Sequence, residues 1–219
     1  LYLSQNRHYP ALLAFDECLA VFPSFVPALY NKSLIALKWR KYDAAVRFLQ
    51  IADRLQPRDT AILNNLAIAC ERSGRIQMAE GYYLDVLTVD EEHLPALQNL
   101  SGLYLSEGRL EEAFQLTRRW KAIEKQSPQC SYRLACIASR MGNIERALEL
   151  LRDSLQLGYD KYDHVLADPD LLVSLYEEPE LIRMMIGDRV EFYIKLYEKA
   201  IRDTRPDFAF IWEDMCYKN

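Results

Sequence analysis

The feature that most limits what this chain can become is a spacing. A glycine, an aliphatic residue two places on and an alanine five places on occur as Gly74, Ile76 and Ala79. They return as Gly108, Leu110 and Ala113, and again as Gly142, Ile144 and Ala147, each time after 34 residues. With the glycine at position 15 of a 34-residue unit, units begin at Val26, Thr60, Leu94 and Pro128, and an incomplete one precedes Val26. Position 20 is then an unbroken series of Ala11, Ala45, Ala79, Ala113 and Ala147, while position 8 is always small, as Ser33, Ala67, Ser101 and Ala135. Position 17 holds His8, Tyr42, Ile76, Leu110 and Ile144. A period of this length marks a stack of like units, each burying its apolar face against its neighbours.

Inside a unit, Leu63, Leu66, Ala67 and Cys70 fall at i, i+3, i+4 and i+7, the apolar stripe of a helix. That places a first helix, A, over positions 1 to 14. The glycine at 15 supplies a left-handed residue that ends helix A without a Cβ clash. A second, antiparallel helix, B, follows, with its alanine pressed against helix A, where a larger side chain would push the backbones apart. Pro23 and Pro57, both at position 32, stop helix B. Two units depart at position 15, which holds Asn6 and Arg40. Asparagine tolerates the left-handed region, whereas arginine is either strained there or ends its helix differently.

Composition removes several alternatives. Half of the residues are hydrophobic, ample for a core, and 7 Gly and 9 Pro are too few for a loop-rich β design. No apolar run reaches the length of a membrane helix, so membrane insertion is not expected. A net charge of −5 gives no reason to expect nucleic acid. The five cysteines, Cys18, Cys70, Cys130, Cys136 and Cys216, form no CxxC and mostly lie within helical patterns. They read as small buried residues of a reducing, cytoplasmic protein rather than a disulfide framework. Because the chain begins at Leu1, a preceding targeting segment stays open. His8, His93 and His164 show no metal-ligand spacing, and no cofactor is expected.

The 34-residue unit with its small, Gly, Ala and Pro positions resembles the tetratricopeptide repeat family over residues 1–159. The resemblance implies an all-α fold, a right-handed superhelical α-solenoid of antiparallel helix pairs. Trp120 stands at position 27, a small-residue slot in the family that Ala52 fills in the second unit, so packing after the fourth unit must adjust. The first unit lacks most of helix A, since Leu1 already corresponds to position 10, and the fold is expected to continue upstream.

Residues 160–219 form a second, helical closing segment that carries almost all of the chain's acidity, whereas the repeats are near neutral. It resembles a segment that closes bacterial tetratricopeptide arrays. Asp168 before Pro169 reads as a helix N-cap, and Pro179 as the start of another helix. Caps account for Asp160, Asp163, His164, Asp168 and Asp170 better than a metal site does. An amphipathic helix over 188–203, with Val190, Ile194, Tyr197 and Ile201 on one face, would cover the last repeat. The ending with Phe208, Phe210 and Trp212 either packs along the array or docks in a groove of the same or a neighbouring chain.

The resemblance also implies where a ligand would lie, because A-helix positions 2, 5, 9, 12 and 13 line the family's inner face. Carried over, positions 5, 9, 12 and 13 give Tyr30, Leu34, Leu37 and Lys38, then Asn64, Ile68, Glu71 and Arg72. The next units contribute Gln98, Gly102, Leu105 and Ser106, then Tyr132, Cys136, Ser139 and Arg140. Lys38, Arg72 and Arg140 recur at position 13, a basic row suited to an acidic partner or else a set of solvated charges. Position 6 holds Asn31, Asn65, Asn99 and Arg133, a ladder for a peptide backbone or, equally, residues serving their own helices. The family's clamp for a chaperone C-terminal carboxylate matches only at Asn99 and Arg133. Asn64, Ile68 and Gln129 replace its other residues, so that role is not expected.

No GxGxxG, GxxxxGK or HExxH occurs, and no nucleophile is set beside a base, so the chain does not read as an enzyme. A remote alternative is a regulatory repeat domain of a larger enzyme. Helical-repeat RNA readers share the period but need a basic groove, which is missing. The expectation is an interaction scaffold that binds an extended or helical segment of another protein. The alternative is self-association, a homo-oligomer covering the incomplete first unit and the aromatic tail.

Overall fold

The computed structural model describes residues 8–161 together with Val165, Asp168 and Leu171. Among the described residues nine helices follow one another and no strand occurs. They are α1 (His8–Val21), α2 (Val26–Lys38), α3 (Tyr42–Leu55), α4 (Thr60–Arg72), α5 (Ile76–Val89), α6 (Leu94–Ser106), α7 (Leu110–Ile123), α8 (Pro128–Arg140) and α9 (Ile144–Gln156). The even-numbered helices open on the four expected unit starts, and α1, α3, α5, α7 and α9 open on the residues of position 17. Each A helix spans 13 residues, one fewer than expected, because Trp39, Ser73 and Glu107 have already passed into the C-cap. The described chain is an all-α helical-repeat solenoid.

The chain divides into two compact units between Cys130 and Ser131. In the first, α2 packs on α3, α4 on α5 and α6 on α7, and each pair touches the next through α3 with α4 and α5 with α6. Ala45, Ala79 and Ala113 are fully buried, as are Ser33, Ala67 and Ser101 at position 8. These small residues remove side-chain bulk along the contact, so the helix axes come close and larger neighbours such as Leu49, Leu66, Tyr83 and Leu100 bury completely around them. Trp120 is also buried, and its indole N–H donates to Glu124 at 2.7 Å, which satisfies the polar atom that the large side chain brings inside. In the second unit, Ala135, Ala147, Ile137 and Leu151 are fully buried. Cys70, Cys130 and Cys136 are buried thiols, and Cys18 is a half-buried one.

The turn after each A helix shows what position 15 requires. Gly74, Gly108 and Gly142 have φ of 78°, 76° and 77°. At the first of these, the Arg75 N–H returns to the Cys70 carbonyl at 2.8 Å, and the Gly74 N–H to Glu71 at 3.0 Å. Arg40 adopts the same left-handed conformation, with φ 59°, and the Lys41 N–H reaches Ala36 at 2.8 Å. Of the two outcomes open for Arg40, strain in an otherwise standard cap is the one observed. Arg58, between α3 and α4, is a second left-handed arginine, with φ 64°. Side chains cap other ends. Asp59 accepts from Ala61 and Ile62 at the start of α4, and the His93 imidazole accepts from Ala96 at 3.2 Å at the start of α6.

Successive repeats of the first unit are joined by ion pairs between one B helix and the following turn. Arg75 pairs with Asp43, and Arg109 with Glu80 at 2.7 Å. Tyr104 also donates to Glu80 at 2.8 Å, and the Arg109 guanidinium lies 4.0 Å over the Tyr104 ring. Burial pushes the Glu80 carboxyl up, but the Arg109 and Tyr104 hydrogen bonds outweigh it and leave the group below its ordinary 4.5. Burial and the Glu80 bond push the Tyr104 phenol up to about 12.

The closing segment expected over 160–219, with its 188–203 helix and aromatic ending, lies outside the described residues apart from Asp160, Lys161, Val165, Asp168 and Leu171.

Two measurements check this account. Arg40→Gly should stabilise the chain by about 1 kcal/mol, the left-handed penalty less the flexibility glycine adds to the unfolded chain, and Gly74→Ala should destabilise it similarly. Urea unfolding of both variants reads these opposite signs. A carboxyl depressed in the folded state stabilises above its unfolded pKa and loses that contribution as pH falls through the folded value. The wild type should therefore exceed Glu80→Gln in stability at pH near 7, and thermal melting should show the gap closing as the solution is acidified below pH about 4.5.

Candidate functional site

In the first unit, the A helices α2, α4 and α6 carry the expected inner-face residues. Tyr30, Leu34 and Leu37 on α2 are half-buried, as are Ile68 on α4 and Gln98, Asn99 and Leu105 on α6. Lys38 and Arg72, each at the last residue of its helix, are exposed. A run of half-buried aliphatic and neutral polar groups with cations at helix ends can bury apolar side chains of a ligand while hydrogen-bonding its backbone.

The asparagine ladder is partly committed to its own helices. Asn31 Nδ2 donates to the Pro27 carbonyl at 2.8 Å, and Asn65 Nδ2 to Ala61 at 2.9 Å. Asn65 Nδ2 also donates to the Tyr30 hydroxyl at 2.9 Å, which joins α2 to α4 across neighbouring repeats. Burial raises the Tyr30 pKa against a smaller opposing effect of the Asn65 bond, so the phenol stays neutral and available.

Two features here were not anticipated. The fully buried Tyr83 donates to Glu71 Oε2 at 2.8 Å, which ties a position-12 carboxylate to the core beside Arg72. Burial and this carboxylate push the Tyr83 phenol far above its ordinary value. An acid at position 12 with tyrosine at position 24 of the same unit was the available signal. The second is Asn64, only 8% exposed, whose carbonyl oxygen is buried with no hydrogen-bond partner. Position 5 looked from sequence like an open ligand contact, not an enclosed amide.

In the second unit two of the inner-face positions, Tyr132 and Cys136, are covered by the same chain. Tyr132 stacks on Tyr159 with ring centroids 4.5 Å apart, and its hydroxyl donates to the Asp168 carboxylate. Cys136 Sγ lies 3.5 Å from the same carboxylate. Burial first, then the Asp168 carboxylate (by its charge on Cys136 and its hydrogen bond with Tyr132), raises the Cys136 thiol and Tyr132 phenol pKa values well above normal, so both stay protonated as donors. Tyr132 is 9% exposed, Arg133 is half-buried and Arg140 is exposed. Among the described residues, no group of three or more His, Cys, Asp and Glu is arranged to hold a metal ion, and no helix is long and apolar enough to cross a membrane.

Models of the tetratricopeptide repeat match residues 26–59, 62–95 and 128–157, which coincide with three of the helix pairs. This chain is a tetratricopeptide-repeat protein. Among solved structures, it is similar to MamA with a TM-score of 0.68 and 15% identity, over 74% of this chain and 95% of that one. It is similar to YrrB, described as a tetratricopeptide-repeat protein with an unusual peptide-binding site, with a TM-score of 0.64 and 19% identity over 82% and 87% of the two chains. TTC0263, a tetratricopeptide-repeat protein of Thermus thermophilus, matches with a TM-score of 0.59 and 21% identity over 78% and 93%. Identities this low establish the shared fold alone. No curated protein matches the sequence.

The enclosed Asn64 amide gives a direct test of the packing around α4. A buried acceptor left unpaired destabilises a fold by about 1–3 kcal/mol. Asn64→Leu should therefore raise the urea midpoint by the equivalent of about 1 kcal/mol, less any strain from the branched side chain. A lower midpoint would mean that the amide is satisfied in solution.

Proposed function

We propose that the chain is a protein-interaction scaffold that holds an extended segment of another protein along α2, α4 and α6. Tyr30, Leu34, Leu37, Asn64, Asn65, Ile68, Gln98, Asn99 and Leu105 contact the segment, and Lys38 and Arg72 favour acidic side chains in it. The observation that carries this reading is the row of half-buried aliphatic and neutral polar residues along α2, α4 and α6, with Ile68 at its centre on α4 and exposed cations at the ends of α2 and α4. Such a row can take apolar side chains of an extended segment while leaving polar groups beside it for the segment's backbone. Arg72, further along the same helix, supplies charge selection, and long-range attraction to an acidic segment would act mainly on the rate of encounter. In the second unit, Tyr132 is engaged by Tyr159 and Asp168, so Arg133 and Arg140 are the candidates there for a separate contact.

Peptides selected from a random display library on the wild-type chain provide the test. Ile68→Asp and Arg72→Glu should each weaken the selected peptides about tenfold or more, the effect of setting an uncompensated charge in an apolar contact or of reversing a charge, with helicity unchanged. Peptides that bind both variants as well as wild type would place the ligand elsewhere.

A second reading rests on a different observation. Tyr9, Leu13, Val21, Phe22 and Phe25, on and just after α1, are 66%, 49%, 69%, 64% and 46% exposed. Such a group of large apolar residues suits self-association through the first repeat. Sedimentation velocity separates the two readings: a dimer dispersed by Phe22→Asp supports this one, and a monomer at all concentrations removes it.

A further inference from the structure

The first unit contains a cleft away from the row of inner-face residues. It lies between the C-terminal halves of α3 and α5, has a volume of about 380 Å³, and is lined by Asp53, Pro57, Arg58, Leu63, Tyr82, Asp85, Thr88 and Val89. Asp53 comes from one wall and Asp85 from the other. Neither carboxylate takes part in an ion pair among the described residues, including with Arg58 at the rim. Burial, and then the like charge of Asp85, push the Asp53 carboxyl above its ordinary value. The two acids thus line a common space, and the charge of Asp85 disfavours the ionised form of Asp53, a situation that a cation relieves.

The next repeat carries a cation where this one carries Asp85. Asp85 stands at position 26 of its unit, and Arg119 stands at that position one unit later. The Arg119 guanidinium donates to the Glu91 carbonyl at 2.7 Å, and Glu91 corresponds to Pro57. Position 28, occupied by Asp53 in the cleft, is Leu87 in the next repeat. The next repeat thus spans its junction with a guanidinium of its own. The cleft has a carboxylate at the same position and a second carboxylate opposite.

We propose that the cleft between α3 and α5 receives an arginine side chain from an extended segment of a partner protein. Its guanidinium bridges Asp53 and Asp85, and its methylenes lie against Leu63, Pro57 and Val89. A planar fork of donors suits two carboxylates on opposite walls better than the point charge of lysine does. The apolar lining takes the stem of a long side chain, as the stems of arginine and lysine commonly lie along apolar surface. This site is separate from the row formed by Tyr30, Asn65 and Asn99, and either one can fail without the other.

The test is a titration of the isotope-labelled full chain with the blocked peptide Gly-Gly-Arg-Gly-Gly, followed by two-dimensional NMR. Saturable shifts of the amides of Asp53, Asp85 and Thr88 are expected, weaker with lysine in place of arginine and absent with glutamine. Asp53→Asn and Asp85→Asn, both near-isosteric, should each raise the dissociation constant about tenfold, as loss of one partner of a charge pair does. Arg58→Gln, which removes the cation at the rim, should lower it, and Glu92→Gln, outside the cleft, should leave it unchanged. Asp85→Arg is the most informative variant, because it puts the next repeat's arginine at the cleft and should abolish the shifts while the melting temperature holds or rises. Equal shifts with the glutamine peptide, no shifts at millimolar arginine peptide, or binding that survives Asp85→Arg would each overturn the proposal.

Discussion

The structure depends on how closely helix A and helix B of one repeat approach. Ala45, Ala79 and Ala113 on the B helices, and Ser33, Ala67 and Ser101 on the A helices, are all fully buried in the first unit. One extra methylene at these contacts would force the axes apart, and close-packed interiors absorb such changes badly. Everything else scales from that spacing. Large residues such as Leu49, Leu66 and Tyr83 pack around the small ones, and the A helices are held at intervals that let Asn65 reach the Tyr30 hydroxyl on the preceding repeat.

The same spacing explains why so much of the fold could be read in advance. Small residues at fixed intervals have no substitute, so their recurrence every 34 residues located the A helices from α2 to α8 at their first residue. Glycine at position 15 was equally legible because its φ near 77° is rarely open to other residues. Arg40 was ambiguous for a physical reason. The surrounding hydrogen bonds, Lys41 to Ala36 and Arg40 to Leu37, outweigh a conformational penalty that propensity alone would count against it. Local preference gave the sign of the strain, and the turn's bonding decided the geometry.

The candidate site was less legible. Family positions identified Tyr30, Asn65 and Leu105 as residues of the A helices, but they carry no information about enclosure. Asn64 and Tyr132, both at position 5, are buried for different reasons: one lies within its own repeat unit with an unpaired oxygen, the other beneath Tyr159 with Asp168 on its hydroxyl. Both outcomes depend on residues well separated in sequence or on the local fit of side chains, and no repeat register records them. The Tyr83 to Glu71 bond belongs to the same class, since it needs two side chains from antiparallel helices to meet at one depth.

The ties between Glu80, Tyr104 and Arg109 have an implication for how such a chain could be rebuilt. Their members come from one B helix, the next A helix and the turn after it, and Asp43 with Arg75 is divided the same way. The 34-residue unit counted along the sequence is therefore not the interchangeable part. A graft cut at Thr60 or Leu94 would carry one half of an ion pair into a neighbour that lacks the other. A segment that starts at a B helix and ends beyond the following A-helix turn keeps both of these ion pairs whole, though it parts Tyr83 from Glu71. For the inter-repeat ion pairs, the seams for recombination run through the middle of each helical hairpin, half a period out of step with the repeat itself.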